Sequence, residues 1–274
     1  MSDRWTAAVE QGHFLLLGMV HLRPLPGSPR WGGSMAEVVE RARADARVLG
    51  DAGFDGVIVE NLGDLPFEPD HLPPAAVAAM AVCAHEVRQE LGEARLMGIN
   101  ALRNDASAAL AVASATDADF IRVNVHSGSM WTDQGLIQGR ACRTLRERRL
   151  LASDVAVLAD VLVKHAAPTV FVDLGEVARD TLHRGLADGL VVTGSATGAR
   201  VDPEELAQVS AAVPRHPVLA GSGVAPDSVR YLAPLASGAI VGTFIKVDGK
   251  VDAPVDLERA RQIVAAREAL DSSR

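Results

Sequence analysis

The stretch VLAGSGVAPDSVRYLAPLASGAIVGTF, residues 218–244, contains one complete strand–helix–strand unit. Its first apolar run ends in a glycine-rich turn at 221–223, Pro226 begins a helix-like segment, and a second apolar run leads to Gly242 and Thr243. Nearly continuous runs of Val, Ile, Leu and Ala are typical of parallel strands buried on both faces, and proline is favoured in the first turn of a helix. The stretch therefore predicts two parallel strands joined by a helix.

The same alternation extends over the whole chain. Eight apolar runs predict strands at 13–20, 55–60, 95–100, 120–125, 154–163, 189–195, 216–223 and 238–244. A helix-like segment follows each of them, at 34–53, 73–92, 104–118, 140–151, 175–185, 202–213, 226–236 and 254–270. Eight β–α units in 274 residues, without a composition break, predict a (β/α)8 TIM barrel. We expect a single domain over residues 1–274, with its core at about 13–270.

Composition narrows the classes of function. The formal net charge of −8 disfavours nucleic acid as a partner, because like charges repel a phosphate backbone. No apolar run approaches the ~18 residues of a membrane span, and the N-terminal residues lack the apolar core of a signal peptide. The two cysteines, Cys83 and Cys142, have no metal-type or disulfide-type spacing. These features predict a cytoplasmic protein without a transmembrane segment, a metal or another cofactor.

Candidate catalytic residues are expected at the carboxyl ends of the strands, where TIM barrels build their active sites. Asp160 and Lys164 in ADVLVKHAAP have the same parity, so they face one side if the strand stays extended. With Glu60, they suit proton transfer, and a buried lysine of lowered pKa suits imine formation. The alternatives are a structural Asp–Lys pair and, for Glu60, helix capping or loop hydrogen bonding.

Further polar residues follow the same strand ends. As substrate-binding candidates the sequence offers His21, Asn61, Asp64, Asn100, Asn124, His126, His165 and Thr193. Two of these have structural alternatives: His21 as a satisfied core histidine and Asp64 as a loop hydrogen-bond acceptor. The loop 126–139 is long for its place in a barrel and carries Met130 and Trp131, which favours a lid over the site.

Three loops rich in Gly, Ser and Thr follow the sixth, seventh and eighth predicted strands. Barrels often bind phosphate there, on backbone N–H groups that glycine leaves accessible. The candidate phosphate-binding residues are Gly194, Ser195, Gly221, Ser222, Gly223, Gly242 and Thr243. The alternative is that the glycines only form tight turns.

Several longer motifs resemble the BtpA/SgcQ family from end to end. They include GMVHLRPLPGSPRWGG (18–33), DGVIVENLGDLPF (55–67), ADFIRVNVHSGSMWTDQGLIQGRA (118–141) and LADGLVVTGSATG (186–198). The resemblance implies a TIM barrel of the ribulose-phosphate-binding kind. Members similar to BtpA in cyanobacteria are linked to the assembly or stability of photosystem I, and members similar to SgcQ lie among sugar-metabolism genes and are often labelled nucleosidases or left uncharacterised. The family offers no agreed catalytic residues, so the candidates above rest on strand-end position.

The leading hypothesis is an enzyme acting on a phosphorylated sugar or nucleoside, by isomerisation, aldol-type cleavage or N-glycosidic hydrolysis. A crowded polar edge with several ionisable groups favours this over a scaffold. The alternatives are a photosystem I biogenesis factor and a non-catalytic binder of a phosphorylated metabolite. Apolar helices on the barrel exterior leave self-association open, with no surface identified.

Overall fold

The computed structural model describes residues 2–151, 153–170 and 172–271, so Met1 and residues 272–274 of the predicted single domain lie outside it. Eight parallel strands form a closed barrel in the order β1-β11-β10-β9-β7-β4-β3-β2. They are β1 (Leu15–His21), β2 (Gly56–Glu60), β3 (Leu96–Asn100), β4 (Phe120–Val123), β7 (Ala156–Val161), β9 (Gly189–Val192), β10 (Val218–Ala220) and β11 (Gly238–Val241). Closure occurs at β1, which pairs with both β11 and β2. The predicted TIM barrel is confirmed.

Eight helices surround the barrel, one after each strand. They are α2 (Met35–Ala52), α3 (Pro74–Leu91), α4 (Ala106–Ala115), α5 (Ala141–Leu150), α6 (Leu174–His183), α7 (Pro203–Ala212), α8 (Pro226–Leu232) and α9 (Leu257–Asp271). Polar side chains cap the amino ends of these helices: the hydroxyl of Ser34 accepts from Glu37 N, and the carboxylate of Asp105 accepts from Ala108 N. The apolar outer faces of the strands pack against the inner faces of these helices.

A helix that the sequence analysis did not predict, α1 (Asp3–Glu10), covers the amino end of the barrel. Trp5 is buried and packs on Phe120, with ring centroids 5.3 Å apart. Arg4 pairs with Asp117 at 2.8 Å and also bonds Asp119, just before β4. Trp5 joins the side chains that fill the barrel interior, so α1 closes this end as a stopper.

The long loop after β4 is an ordered hairpin of β5 (Ser129–Thr132) and β6 (Gly135–Gln138). A short strand after β7, β8 (Ala166–Pro168), pairs antiparallel with β5, so three strands form a second sheet. Met130 and Ile137 bury their side chains beneath it with Val125 and Val163, whereas Trp131 lies 56% exposed. The predicted lid segment therefore has a small core of its own.

Alternation along the strands decides what enters the barrel. Apolar side chains such as Leu17, Ile58 and Leu158 fill the interior from the amino end to the middle. Towards the carboxyl end, the same parity brings polar residues to the interior. They are His21, Glu60, Asn100, Arg122, Asn124, Asp160 and Thr193. Among the described residues, no helix is both long and apolar enough to cross a membrane.

Candidate active site

Arg122 and Asp160 form the innermost polar contact of the barrel mouth. Arg122 Nε donates to Asp160 Oδ1 at 2.8 Å, and Arg122 Nη2 donates to Asp160 Oδ2 at 2.9 Å. Asn124 Nδ2 adds a third hydrogen bond to Oδ2 at 3.0 Å. Both oxygens of Asp160 are therefore engaged, and the carboxylate fixes the Arg122 guanidinium in place.

Glu60 has one oxygen held and one directed at a histidine. Asn100 Nδ2 donates to Glu60 Oε2 at 2.6 Å, while Glu60 Oε1 lies 3.8 Å from His21 Nε2. His21 Nδ1 contacts the carbonyl of Val251 at 2.9 Å, so Nδ1 carries the proton. Burial lowers the pKa of His21 well below its ordinary value, and the charge of Lys246 lowers it further. A neutral His21 then presents a lone pair at Nε2 beside Glu60 Oε1, and a ligand hydroxyl could donate to either atom.

Lys164 enters the mouth from beyond the end of β7. The strand stops at Val161 because Leu162 has a left-handed φ of 52°, so the extended geometry assumed for residues 160–164 is wrong. The side chain nevertheless reaches the same cavity as Glu60. Its backbone N–H donates to Thr193 Oγ1 at 3.0 Å, which fixes the segment. Burial lowers the pKa of Lys164, and the nearby charge of Arg122 adds to this effect.

A cavity of about 1280 Å³, the mouth cavity, opens at this end of the barrel. Its polar lining includes His21, Glu60, Arg103, Arg122, Asn124, Asp133, Lys164, His165 and Thr197, with Arg23, Arg30, Arg41 and Asp252 in the more open part. Apolar side chains, among them Leu62, Phe67 and Leu102, contribute the rest. Six Lys and Arg residues and three carboxylates line it, but Arg23, Arg41 and Arg122 pair with carboxylates outside the lining, Glu37, Asp45 and Asp160. Arg30, Arg103 and Lys164 form no ion pair with a described residue, so they are the positive groups left to meet an anionic ligand.

The glycine-rich loops line a smaller space, the glycine recess, of about 30 Å³. His21, Glu60, Arg122, Lys164 and Thr197 line both the recess and the mouth cavity. Five of the predicted phosphate-binding residues line it: Gly221, Ser222, Gly223, Gly242 and Thr243. The predicted Gly194 and Ser195 do not. The N–H of Gly194 donates to Ser222 Oγ, and the carbonyl of Ser195 accepts from His165 N.

Close packing also explains part of the glycine pattern. A Cβ on Gly223 would lie 2.4 Å from Arg200 Cα, and one on Gly221 would lie 2.4 Å from Val191 Cγ1. Gly223 also has a left-handed φ of 63°, as the turn alternative expects, whereas Gly221 is constrained by packing. Within the described residues, the N–H groups of Ser222 and Gly223 have no hydrogen-bond acceptor, so both functions of the loop are compatible.

Five of the eight predicted substrate-binding residues do not line either space. Asn61 donates to Asp64 Oδ2 at 3.0 Å and accepts from Leu102 N, so it joins two loops. Asp64 also accepts from Leu25 N at 2.7 Å, as the loop-bonding alternative expects. His126 is buried outside the barrel mouth, with Nε2 against the carbonyl of Gly185 at 2.9 Å. Asn100 and Thr193, also outside the lining, support Glu60 and the Lys164 segment, whereas His21, Asn124 and His165 line the cavity.

Two arginines that line the mouth cavity, Arg122 and Arg103, were not among the site residues predicted from the sequence. Arg122 has a detectable signal, since a charge at an inward position of the apolar run FIRVNV has to be paired inside the barrel. Arg103 follows β3 in an irregular turn, and no periodicity predicts where its side chain points.

The closed barrel and the cavity of ionisable side chains at its carboxyl end define a TIM-barrel protein with a candidate ligand site at the barrel mouth. The chain belongs to the BtpA family, whose model matches residues 13–269. It is 47% identical to an uncharacterised protein of Pyrococcus furiosus over 93% of this chain and 95% of that protein. It is 46% identical to the photosystem I biogenesis protein BtpA of Synechocystis over 93% and 88% of the two chains. Among solved structures, orotidine monophosphate (OMP) decarboxylase of Leishmania donovani matches with a TM-score of 0.61 at 16% identity over 98% and 99%, which shows the shared fold.

Proposed function

We propose that the protein is an enzyme acting on a phosphorylated sugar or nucleoside. The observation that carries this proposal is the shared lining: Glu60 and Lys164 border both the mouth cavity and the glycine recess. A ligand with its phosphate in the recess would bring its sugar carbons against these two groups. The similarity to TIM-barrel enzymes such as OMP decarboxylase supports the same class.

Glu60 and Lys164 are the proton-transfer pair of this proposal. Glu60 Oε1 is free of Asn100 and lies beside the neutral His21, so it can accept a proton from a bound carbon or hydroxyl. Lys164, whose pKa is lowered by burial, can return a proton or attack a carbonyl as an amine. Isomerisation, aldol-type cleavage and N-glycosidic hydrolysis all require such a transfer. Asp160 takes a positioning role, because Arg122 and Asn124 occupy its oxygens.

The phosphate group fits the donors of the recess. Ser222 and Gly223 offer backbone N–H groups, and the hydroxyl of Thr243 lies in the same lining. Arg122 and Lys164 supply positive charge at the junction with the mouth cavity. A phosphate bound there leaves the rest of the ligand facing Glu60.

The test is a turnover screen of phosphorylated sugars and nucleoside monophosphates, followed by ¹H and ³¹P NMR. We expect one compound class to be converted by the wild type, and turnover to fall by at least about 100-fold in Glu60→Gln and in Lys164→Met. Thr243→Glu, which places a carboxylate in the recess, should abolish binding, whereas Thr243→Val should weaken it modestly. Glu93→Gln and Lys250→Met, exposed and outside both spaces, are the matched controls.

Two results would count against this assignment. Full turnover in Glu60→Gln and Lys164→Met would remove these residues from the chemistry. Binding without conversion of any compound would leave a sensor of a phosphorylated metabolite. The name of the Synechocystis relative favours a second candidate, a role in photosystem I biogenesis. Complementation of a strain lacking that relative, with wild type and with Glu60→Gln, tests whether such a role depends on the cavity.

A further inference from the structure

Arg103 differs from the other buried arginines of the described chain. Arg88 pairs with Asp119 at 2.8 Å, and Arg122 pairs with Asp160 at 2.8 Å. Arg103 is just as buried, at 5% exposure, yet no carboxylate of the described residues forms an ion pair with it. The one hydrogen bond from its side chain to a described residue runs from Nη2 to the carbonyl of Lys164 at 2.7 Å.

This burial is costly without an anion. Removing a guanidinium from water is unfavourable unless a negative charge and hydrogen-bond acceptors replace the solvent. Desolvation lowers the pKa of Arg103, and the more distant charges of Asp160, Asp133 and Glu60 offset only part of that effect. The guanidinium lines the mouth cavity, so the missing acceptor has space to come from a ligand.

The position of Arg103 on the barrel indicates which part of a ligand it would meet. In the closed strand order, β3 and β10 are four places apart among eight, so they lie on opposite sides of the ring. Arg103 follows β3, but its Nη2 reaches the carbonyl of Lys164 beyond β7, and β7 is two places from β10, which the Ser222–Gly223 turn of the recess follows. Eight strands about 4.8 Å apart and tilted by about 36° close into a ring about 15 Å across, so strands two places apart lie about 11 Å from each other. One phosphate cannot bridge that distance.

We propose that Arg103 binds a second anionic group of the ligand, a carboxylate or a second phosphate, so that the substrate is anionic at both ends. This rests on the proposed function, because it places the first phosphate in the glycine recess. Between the two anionic groups the ligand would pass Glu60, Lys164 and Arg122, which line both the mouth cavity and the glycine recess. Arg103 would thereby select substrates that carry a second anionic group at the end away from the phosphate.

Three probes with a six-carbon chain separate the possibilities: sorbitol 6-phosphate, 6-phosphogluconate and sorbitol 1,6-bisphosphate. Calorimetry should show at least one doubly anionic probe binding the wild type ten times or more tightly than sorbitol 6-phosphate. Arg103→Met should remove this difference and leave sorbitol 6-phosphate unaffected. Arg103→Gln keeps a donor for the Lys164 carbonyl and should behave alike, so a folding defect in the methionine variant does not decide the matter. Arg146→Met, on the exposed face of α5, controls for the loss of a positive charge.

The outcomes identify which idea fails. The second-anion site is overturned if all three probes bind the wild type with equal affinity, or if the preference for a doubly anionic probe survives Arg103→Gln. The phosphate site still stands in that case if sorbitol 6-phosphate binding is lost in Thr243→Glu. Conversely, 6-phosphogluconate binding that is lost in Arg103→Gln but unaffected by Thr243→Glu supports the Arg103 site and rules out the glycine recess as the phosphate site. Failure of every probe to bind overturns both. The larger gain, with 6-phosphogluconate or with the bisphosphate, tells a carboxylate from a phosphate.

Discussion

Arg122 on β4 and Asp160 on β7 bridge two adjacent strands with two parallel hydrogen bonds of 2.8 and 2.9 Å inside the barrel mouth. Both side chains are almost wholly removed from solvent, so each charge depends on the other. The paired strands fix both backbones, so the Arg122 guanidinium is held in one place at the mouth.

Replacing Asp160 with leucine should destabilise the fold strongly, because it leaves the Arg122 charge buried and unpaired. We expect the free energy of unfolding to fall by about 3–5 kcal/mol, measured by urea denaturation. The double variant Arg122→Met/Asp160→Leu should recover most of this loss, as it removes both charges. A double variant as unstable as the sum of the single ones would show that the two residues are not coupled.

Gly223 and Gly128 form a matched pair for the function of the glycine-rich loop. Both have a left-handed φ, of 63° and 69°, but a Cβ on Gly223 meets the Arg200 backbone, whereas one on Gly128 meets no described atom within 4 Å. Gly128→Ala should therefore cost about 1 kcal/mol from backbone strain alone, and Gly223→Ala about 1–3 kcal/mol more from overpacking. Thermal denaturation measures both. Equal costs would mean that the loop yields without strain, so that packing does not require Gly223.

His21 should make stability depend on pH. Its pKa is lowered in the folded state by burial and by Lys246, so below about pH 6.5 the unfolded chain binds a proton that the folded chain rejects. Stability should fall as the pH drops below about 6.5, by up to about 1.4 kcal/mol per pH unit from this residue. Urea denaturation between pH 5 and 8 should show a smaller slope in His21→Gln than in wild type. His85→Gln, on the exposed side of α3, is the control for losing an imidazole, and an unchanged slope in His21→Gln would contradict the assignment.

Lys164 should react with a small acylating reagent at lower pH than an exposed lysine. Burial and the Arg122 charge lower its pKa, so a larger share of its amine is neutral and nucleophilic at a given pH. Mass spectrometry can follow Lys164 and the exposed Lys250 in the same sample. We expect the midpoint of modification for Lys164 to lie below that of Lys250. Coincident midpoints would deny Lys164 its special environment.

The barrel and the order of its strands along the chain could be predicted because alternation and burial leave a strong mark on sequence, although five of the eight strands end two or three residues earlier than predicted. Runs such as GLVV and GAIV are buried on both faces, and side-chain parity brought Glu60 and Asp160 to the interior as expected. Prediction failed where the backbone leaves a regular element. The left-handed Leu162 ends β7 early, and the hairpin after β4 depends on pairing with a strand more than 30 residues later.

Residues of the site were missed or misplaced for a related reason. Strand-end position could not tell an inward side chain from one that ties loops together, and Asn61 and Asp64 belong to the second kind. Arg103 lies in an irregular turn, where side-chain direction follows from tertiary packing. The stopper helix α1 was missed although Trp5, Ala8 and Val9 recur at a helical spacing and pack against the barrel interior, a signal that could have found it.

The stopper has a consequence for traffic through the molecule. With Trp5 packed against Phe120 at the amino end, the mouth is the opening of the described barrel. A substrate must enter through the mouth and its product must leave through it, so a bound product excludes the next substrate until it dissociates. Under the proposed function, product is therefore expected to inhibit competitively with substrate.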